Sequence, residues 1–179
     1  LNPDAKGKIV WKQRVGSAGT MGGVHWGMST DNQKVYVGVS DLPTNNPYNV
    51  GAAHPGLHAL DLKTGEFVWR NDLPNVCAKG GKFMCFPGIS AAVSSSTNLV
   101  YAGGLDGMFR IFSASKGEIL WEYDTKQAVN TINGVKGFGG SIESDGPVIA
   151  NGKIYLTSGY DKWGEAPGNI LMVFSAGGK

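Results

Sequence analysis

No stretch of about 18 consecutive apolar residues occurs in the 179-residue chain, which excludes a membrane-spanning helix on length alone. Charge is sparse as well. The 16 basic and 14 acidic residues make up 17% of the chain and are scattered singly, so the basic stripe that holds nucleic acid is missing. The opening residues LNPDAKGK hold no apolar h-region, so an export signal would have been removed or would belong to sequence outside this chain. Only two cysteines are present, Cys77 and Cys85, with seven residues between them. That spacing fits neither a CxxC redox pair nor a zinc knuckle, and no CxxCH haem site exists. The pair is either a short disulfide loop, which requires an oxidising compartment, or two free thiols. His54 and His58 stand four apart, but Pro55 and Gly56 between them forbid the helical turn that a zinc pair would use, so they read as loop and strand residues.

Glycine is abundant where charge is not. With 28 glycines, turns must be frequent and helices few, which points to an all-β chain. One phrase is written three times: LNPDAKGKIVW at the start, ALDLKTGEFVW at 59–69 and IFSASKGEILW at 111–121. Gly7, Gly65 and Gly117 each precede a tryptophan, Trp11, Trp69 and Trp121, by four residues, at intervals of 58 and 52. Repeats of that length made of short strands mean a propeller or a solenoid, and each unit offers four Val-, Ile-, Tyr- or Phe-rich runs. The expected fold is therefore three four-stranded antiparallel blades of a β-propeller, filling 1–179 as blades 8–62, 66–114 and 118–175. In this phasing the phrase joins the last strand of one blade to the first of the next. Gly65 and Gly117 give the positive φ of a tight turn, and Trp11, Trp69 and Trp121 act as clasps between blades, their indole N–H groups needing partners there. The remaining connections alternate: tight ones at one end of the strands, long glycine-rich ones at the other, where function is expected. Three blades leave the ring incomplete, so the expected partners are further blades, or further copies of the chain that close it.

The clasp, A-x-D-x-x-T-G-x-x-x-W, resembles the tryptophan docking motif of the quinoprotein propellers that bind pyrroloquinoline quinone, and ALDLKTGEFVW matches it fully. GGVHWGMSTDNQKVYVGVSD, at 22–41, is similar to the segment of these dehydrogenases that places an indole under the quinone and a calcium ligand at the end of the next strand. CFPGISAAV, NLVYAGGLDGMFRIF, NTINGVKGFGGSI and APGNILMVFSAGGK resemble the C-terminal blades of the polyvinyl alcohol dehydrogenase branch, so the likeness spans essentially the whole chain. It departs from the family at Ser113 and Lys116, which replace the Asp and Thr of the clasp and leave that turn without its side-chain bonds. Leu105 stands where related alcohol dehydrogenases carry an arginine near the quinone, and nothing clearly matches their aspartate base.

The resemblance implies a site built of Trp26, as the surface on which the flat quinone lies, and Asp41, as one ligand of a calcium ion that polarises the quinone as a Lewis acid. His25 and Trp26 are neighbours on an extended segment, so only one of them faces the cofactor. Lys136, in the loop NGVKGFGG, is placed to meet quinone charge. The catalytic residue is unknown, with Glu143, Asp145 and Asp72 as candidate bases. The activity implied is oxidation of a secondary alcohol, polyvinyl alcohol among the candidates, with electrons passing to a cytochrome c, and the chain by itself is expected to be inactive. The alternative is a non-catalytic propeller scaffold for protein assembly. Family members of this kind act in the periplasm or outside the cell, and in that compartment Cys77 and Cys85 are expected to pair and hold a loop rim.

Overall fold

The computed structural model describes residues 2–17, 22–41, 51–77 and 83–177. Strands β1 (Met28–Thr30), β2 (Lys34–Val39), β3 (Gly56–Asp61) and β4 (Phe67–Asp72) form one antiparallel sheet in that order. A second has the same order: β5 (Ser94–Ser95), β6 (Leu99–Gly103), β7 (Met108–Ser113) and β8 (Ile119–Asp124). A two-stranded hairpin, β9 (Ala128–Asn130) with β10 (Lys136–Phe138), precedes a three-stranded sheet of β11 (Val148–Ala150), β12 (Lys153–Ser158) and β13 (Ile170–Ser175).

These blades are phased one strand later than the sequence suggests. Ala59 pairs with Trp69 and Ile111 with Trp121, so the second and third of the repeated phrases are each a hairpin turn inside one sheet. The boundaries expected at 62–66 and 114–118 therefore fall within blades. A short turn brings its own two flanking strands into register, whereas a step between blades needs a longer connection. The segment 8–15, expected as a first strand, forms no ladder beyond the bridge of Lys8 to Asn2. The same shift leaves the third sheet with three strands where four were expected.

The tryptophans nevertheless reach the next blade. Trp11 donates its indole N–H to Leu62 O at 3.0 Å, and Trp69 donates to Ala114 O at 3.1 Å, each the equivalent turn of the following sheet. Each ring lies flat over the turn glycine: a Cβ on Gly65 would stand 2.6 Å from Trp11, and one on Gly117 only 2.4 Å from Trp69. Gly65 (φ 76°) and Gly117 (φ 73°) thus combine a left-handed backbone with a surface bare enough for an indole. Asp61 closes its turn by accepting from Lys63 N and Thr64 N, both at 2.8 Å. In the next turn Ser113 Oγ accepts from Lys116 N at 3.4 Å and bonds Ser115 Oγ at 3.0 Å, so that turn keeps side-chain bonds where none were expected. Trp121 instead stacks on Tyr123 and meets Phe109 and Phe174 edge-on, tying the second sheet to the third.

Apolar layers fill the spaces between sheets. Tyr36, Leu57 and Ala59 from the first sheet pack with Ile89, Val100 and Phe112, all essentially buried, and Tyr101 and Phe109 pack with Ile142 and Leu156 toward the third. Each such large side chain contributes roughly 1.5–3 kcal/mol on burial. The first strands of successive sheets converge. Trp26 N donates to Ser90 O, Ala92 N to Ser144 O and Ser94 Oγ to Pro147 O. This convergence marks the inner, axial edge of the blades. Because neighbouring strands run in opposite directions, the turns 31–33, 62–66, 96–98, 114–118 and 151–152 gather at one end, and the connections 40–55, 73–93, 104–107, 125–147 and 159–169 at the other, all of these long except 104–107.

Candidate functional site

The chain enters each innermost strand from the long-loop end, so residues just before β1, β5 and β11 ring the axial mouth on that side. Trp26 lies there, 57% exposed, with its backbone held by Ser90. His25, the residue before it, is half-buried and points to other partners. Its Nδ1 lies 2.8 Å from Ser90 Oγ, and its Nε2 3.2 Å from Gly22 O. Ser90 Oγ in turn donates to Glu143 Oε1 at 2.9 Å, and Glu143 is 9% exposed. Of the three candidate bases, Glu143 is the one bonded to this mouth among the described residues. Asp145 is exposed, and Asp72, at the end of β4, pairs with His54 Nδ1 at 2.8 Å.

Asp41 is fully buried and does a different job from the one expected. Its carboxylate accepts from Ser17 N (2.9 Å), Ser17 Oγ (3.0 Å), Gly23 N (2.8 Å) and His54 N (3.0 Å), at a left-handed residue with φ 34°. Burial alone would raise its pKa; the donors outweigh that and hold it below the ordinary carboxylate value. A ring of N–H dipoles aimed at both oxygens fits an anion. A calcium ion would have to displace these donors, so Asp41 does not fit the expected metal ligand. It pins the segment before Trp26 to the loop after β2.

Lys136 sits exposed on β10, opposite Asn130, and the hairpin docks on the last long loop through Asn169, which accepts from Phe138 N at 3.0 Å. No hydrogen bond joins Lys136 to Trp26 among the described residues. His58 is buried, and its Nε2 donates to His54 O at 2.9 Å, so the two histidines present no paired nitrogens to a metal. Cys77 and Cys85 form a disulfide, with Cα atoms 5.6 Å apart. Met84, beside Cys85, donates its N–H to Gly164 O, which ties this loop to the loop of the third sheet. Leu105 is buried in the core. The His25–Ser90–Glu143 contact had no signal in the sequence, since its members lie 65 and 53 positions apart in three different repeats.

Residues 1–135 and 53–176 match the family described as outer membrane protein assembly factor BamB. The chain is 37% identical over its whole length to a polyvinylalcohol dehydrogenase of a Pseudomonas species and, equally, to one of Sphingopyxis sp. strain 113P3, and it spans 29% of the length of each. In three dimensions it superposes on quinohemoprotein alcohol dehydrogenase from Comamonas testosteroni with a TM-score of 0.63 at 21% identity. That match covers 94% of this chain and 21% of the other. The last similarity shows the propeller fold.

Proposed function

Because the chain belongs to the quinoprotein, PQQ-repeat family of propellers, we propose that it forms part of the active-site wall of a pyrroloquinoline quinone-dependent dehydrogenase that oxidises secondary alcohols. The observation that carries the reading is Trp26: a half-exposed indole at the axial mouth, on the face that bears the long loops. A flat aromatic plane left open to solvent in a mouth of glycine-rich loops suits a planar tricyclic ligand. The quinone, when bound, supplies the two-electron oxidising power. The chain's own residues do the rest. Trp26 offers the stacking plane, and Asp41 fixes the approach to Trp26 by holding Ser17, Gly23 and His54. The Cys77–Cys85 bridge holds the rim. Polyvinyl alcohol is the substrate proposed, on the strength of the two dehydrogenases that share 37% identity, with cytochrome c as the electron acceptor and the periplasm or exterior as the place of action. Lys136 is retained as a candidate for quinone charge. Calcium, if the protein uses it, must be held by groups other than Asp41.

The test is Trp26→Ala in the intact protein, with quinone binding followed by absorbance titration. Loss of the stacking plane should weaken binding by about 2–3 kcal/mol, roughly a hundredfold. Unchanged binding would remove Trp26 from the site. A non-catalytic scaffold is the second reading, favoured by the committed carboxylate of Asp41. It prevails if the intact protein, given quinone and calcium, shows no dye-linked oxidation of any alcohol.

A further inference from the structure

His25, Ser90 and Glu143 come from the approaches to three successive inner strands and meet in one chain of hydrogen bonds. Proton counting constrains that chain. Gly22 O can only accept, so the contact at His25 Nε2 needs a proton on Nε2. The contacts from Nδ1 to Ser90 Oγ and from Ser90 Oγ to Glu143 Oε1 need one proton each. A neutral imidazole and a hydroxyl supply two of the three. The third resides on His25 Nδ1, giving an imidazolium facing a carboxylate, or on Glu143, giving a carboxylic acid facing a neutral imidazole. A concerted shift through the Ser90 hydroxyl converts one form into the other without moving a heavy atom.

The far end of the chain is open. Glu143 Oε2 is buried and has no hydrogen-bond partner among the described residues, although an unpaired carboxylate oxygen is expensive to bury. Glu143 also lines a cavity of about 300 Å³ on the long-loop side, whose other walls include Ser144, Asp145, Thr157 and Tyr160. The walls are rich in hydroxyl groups, which suits a ligand that itself carries hydroxyls. No ion pair reaches His25 or Glu143 among the described residues. The nearest charges along their own segments are Asp145, exposed two residues after Glu143, and Asp41, which accepts from Gly23 N two residues before His25.

We propose that Glu143, Ser90 and His25 form a one-proton relay that opens on this cavity and takes the hydroxyl proton of an alcohol bound there. The proposal rests on the alcohol-oxidation reading. Before it accepts, the relay has released its third proton, leaving a neutral His25 protonated on Nε2 and an ionised Glu143. When the substrate O–H bond breaks, its proton joins the Glu143 carboxylate. The Ser90 hydroxyl passes its own proton to His25 Nδ1 and takes one in exchange from the Glu143 carboxyl, which refills the chain. The carbinol C–H hydrogen leaves with its two electrons to the quinone oxidant, and the C–O bond becomes a carbonyl. The relay turns over when His25, its half-buried end, returns the proton to solvent.

Magnetic resonance of the intact protein, with labelled histidine ring nitrogens and glutamate carboxyl carbons, tests the shared proton without any turnover. At one fixed pH, Glu143→Gln should move the His25 Nδ1 resonance, because the two groups share one proton through Ser90. On a Ser90→Ala background the same substitution should leave that resonance in place, and on a Ser90→Thr background, which keeps the hydroxyl, the response should return. A His25 resonance indifferent to Glu143→Gln, or a response that survives Ser90→Ala, would overturn the relay. With quinone and a secondary alcohol supplied, Ser90→Ala should lower kcat by roughly 10²–10⁴-fold with little change in KM, the range typical of a lost proton acceptor. Unchanged kcat would overturn the proton-accepting role. If the unaltered protein oxidises no alcohol, the functional reading and the relay's task fall together, while the resonance experiment still decides whether the proton is shared.

Discussion

Placing a methyl group on Gly117 should loosen the joint between the first two blades. The backbone there has φ 73°, which an alanine adopts at a penalty of roughly 1 kcal/mol. The new Cβ would lie 2.4 Å from Trp69 Cε3, 2.7 Å from Cδ2 and 2.8 Å from Cζ3, well inside contact distance, so the indole must lift off the turn. Lifting it breaks the 3.1 Å bond from Trp69 Nε1 to Ala114 O, about 1 kcal/mol, and opens packing against the buried layer, about another 1–2 kcal/mol. Gly117→Ala should therefore destabilise by about 3–4 kcal/mol. Gly152 provides the control. It shares the left-handed backbone, at φ 69°, but a Cβ there meets nothing within 4 Å, so Gly152→Ala should lose only about 1 kcal/mol. Urea unfolding followed by circular dichroism gives both values, and repeating Gly117→Ala on a Trp69→Ala background should shrink its effect to about 1 kcal/mol. If Gly117→Ala is no worse than Gly152→Ala, or is equally harmful without the indole, Trp69 is not seated on that turn.

Asp41→Ala should cost about 3 kcal/mol and loosen the segment around Trp26, since it strands the N–H groups of Ser17, Gly23 and His54. Faster amide exchange confined to those residues would show it, and unchanged exchange would refute the anchoring role. Asp31 accepts from Tyr36 Oη at 2.6 Å and from Lys34 N at 2.7 Å. Burial raises its pKa, but these bonds prevail and bring it from 3.8 to about 2. A depressed carboxylate stabilises the fold fully above its ordinary value, so about 1–2 kcal/mol should disappear as pH falls from about 4 to about 2, and Asp31→Asn should lack that dependence. Burial also lowers the pKa of His58 below 6.5. The contribution of a neutral buried histidine is complete above that value, so stability should decline as pH drops below 6.5, with a shallower decline in His58→Gln. Reducing the Cys77–Cys85 bridge should cost about 2.5 kcal/mol, from the entropy of the short loop it closes, and equal urea midpoints with and without reductant would refute that estimate.

Periodic features of this protein were legible in its residues. The thrice-written glycine–tryptophan phrase, the strand-like runs and the alternation of tight and long connections are local patterns, and antiparallel alternation sends long loops to one end however the strands are grouped. Grouping itself was not legible. Whether ALDLKTGEFVW closes a hairpin or bridges two blades depends on which strands share hydrogen bonds, and only the ladder between Ala59 and Trp69 decides that. Trp26 could be placed at the mouth because its neighbours in sequence mark it, and Cys77 with Cys85 because a short loop brings them together. The donors that surround Asp41 could not be read. That residue's sequence position matches that of a metal ligand, while the donors that commit its carboxylate arrive from residues 17, 23 and 54 through folding. The meeting of His25, Ser90 and Glu143 lies beyond any sequence pattern, because it arises where inner strands from separate repeats converge on one axis and a proton can be shared only across that convergence.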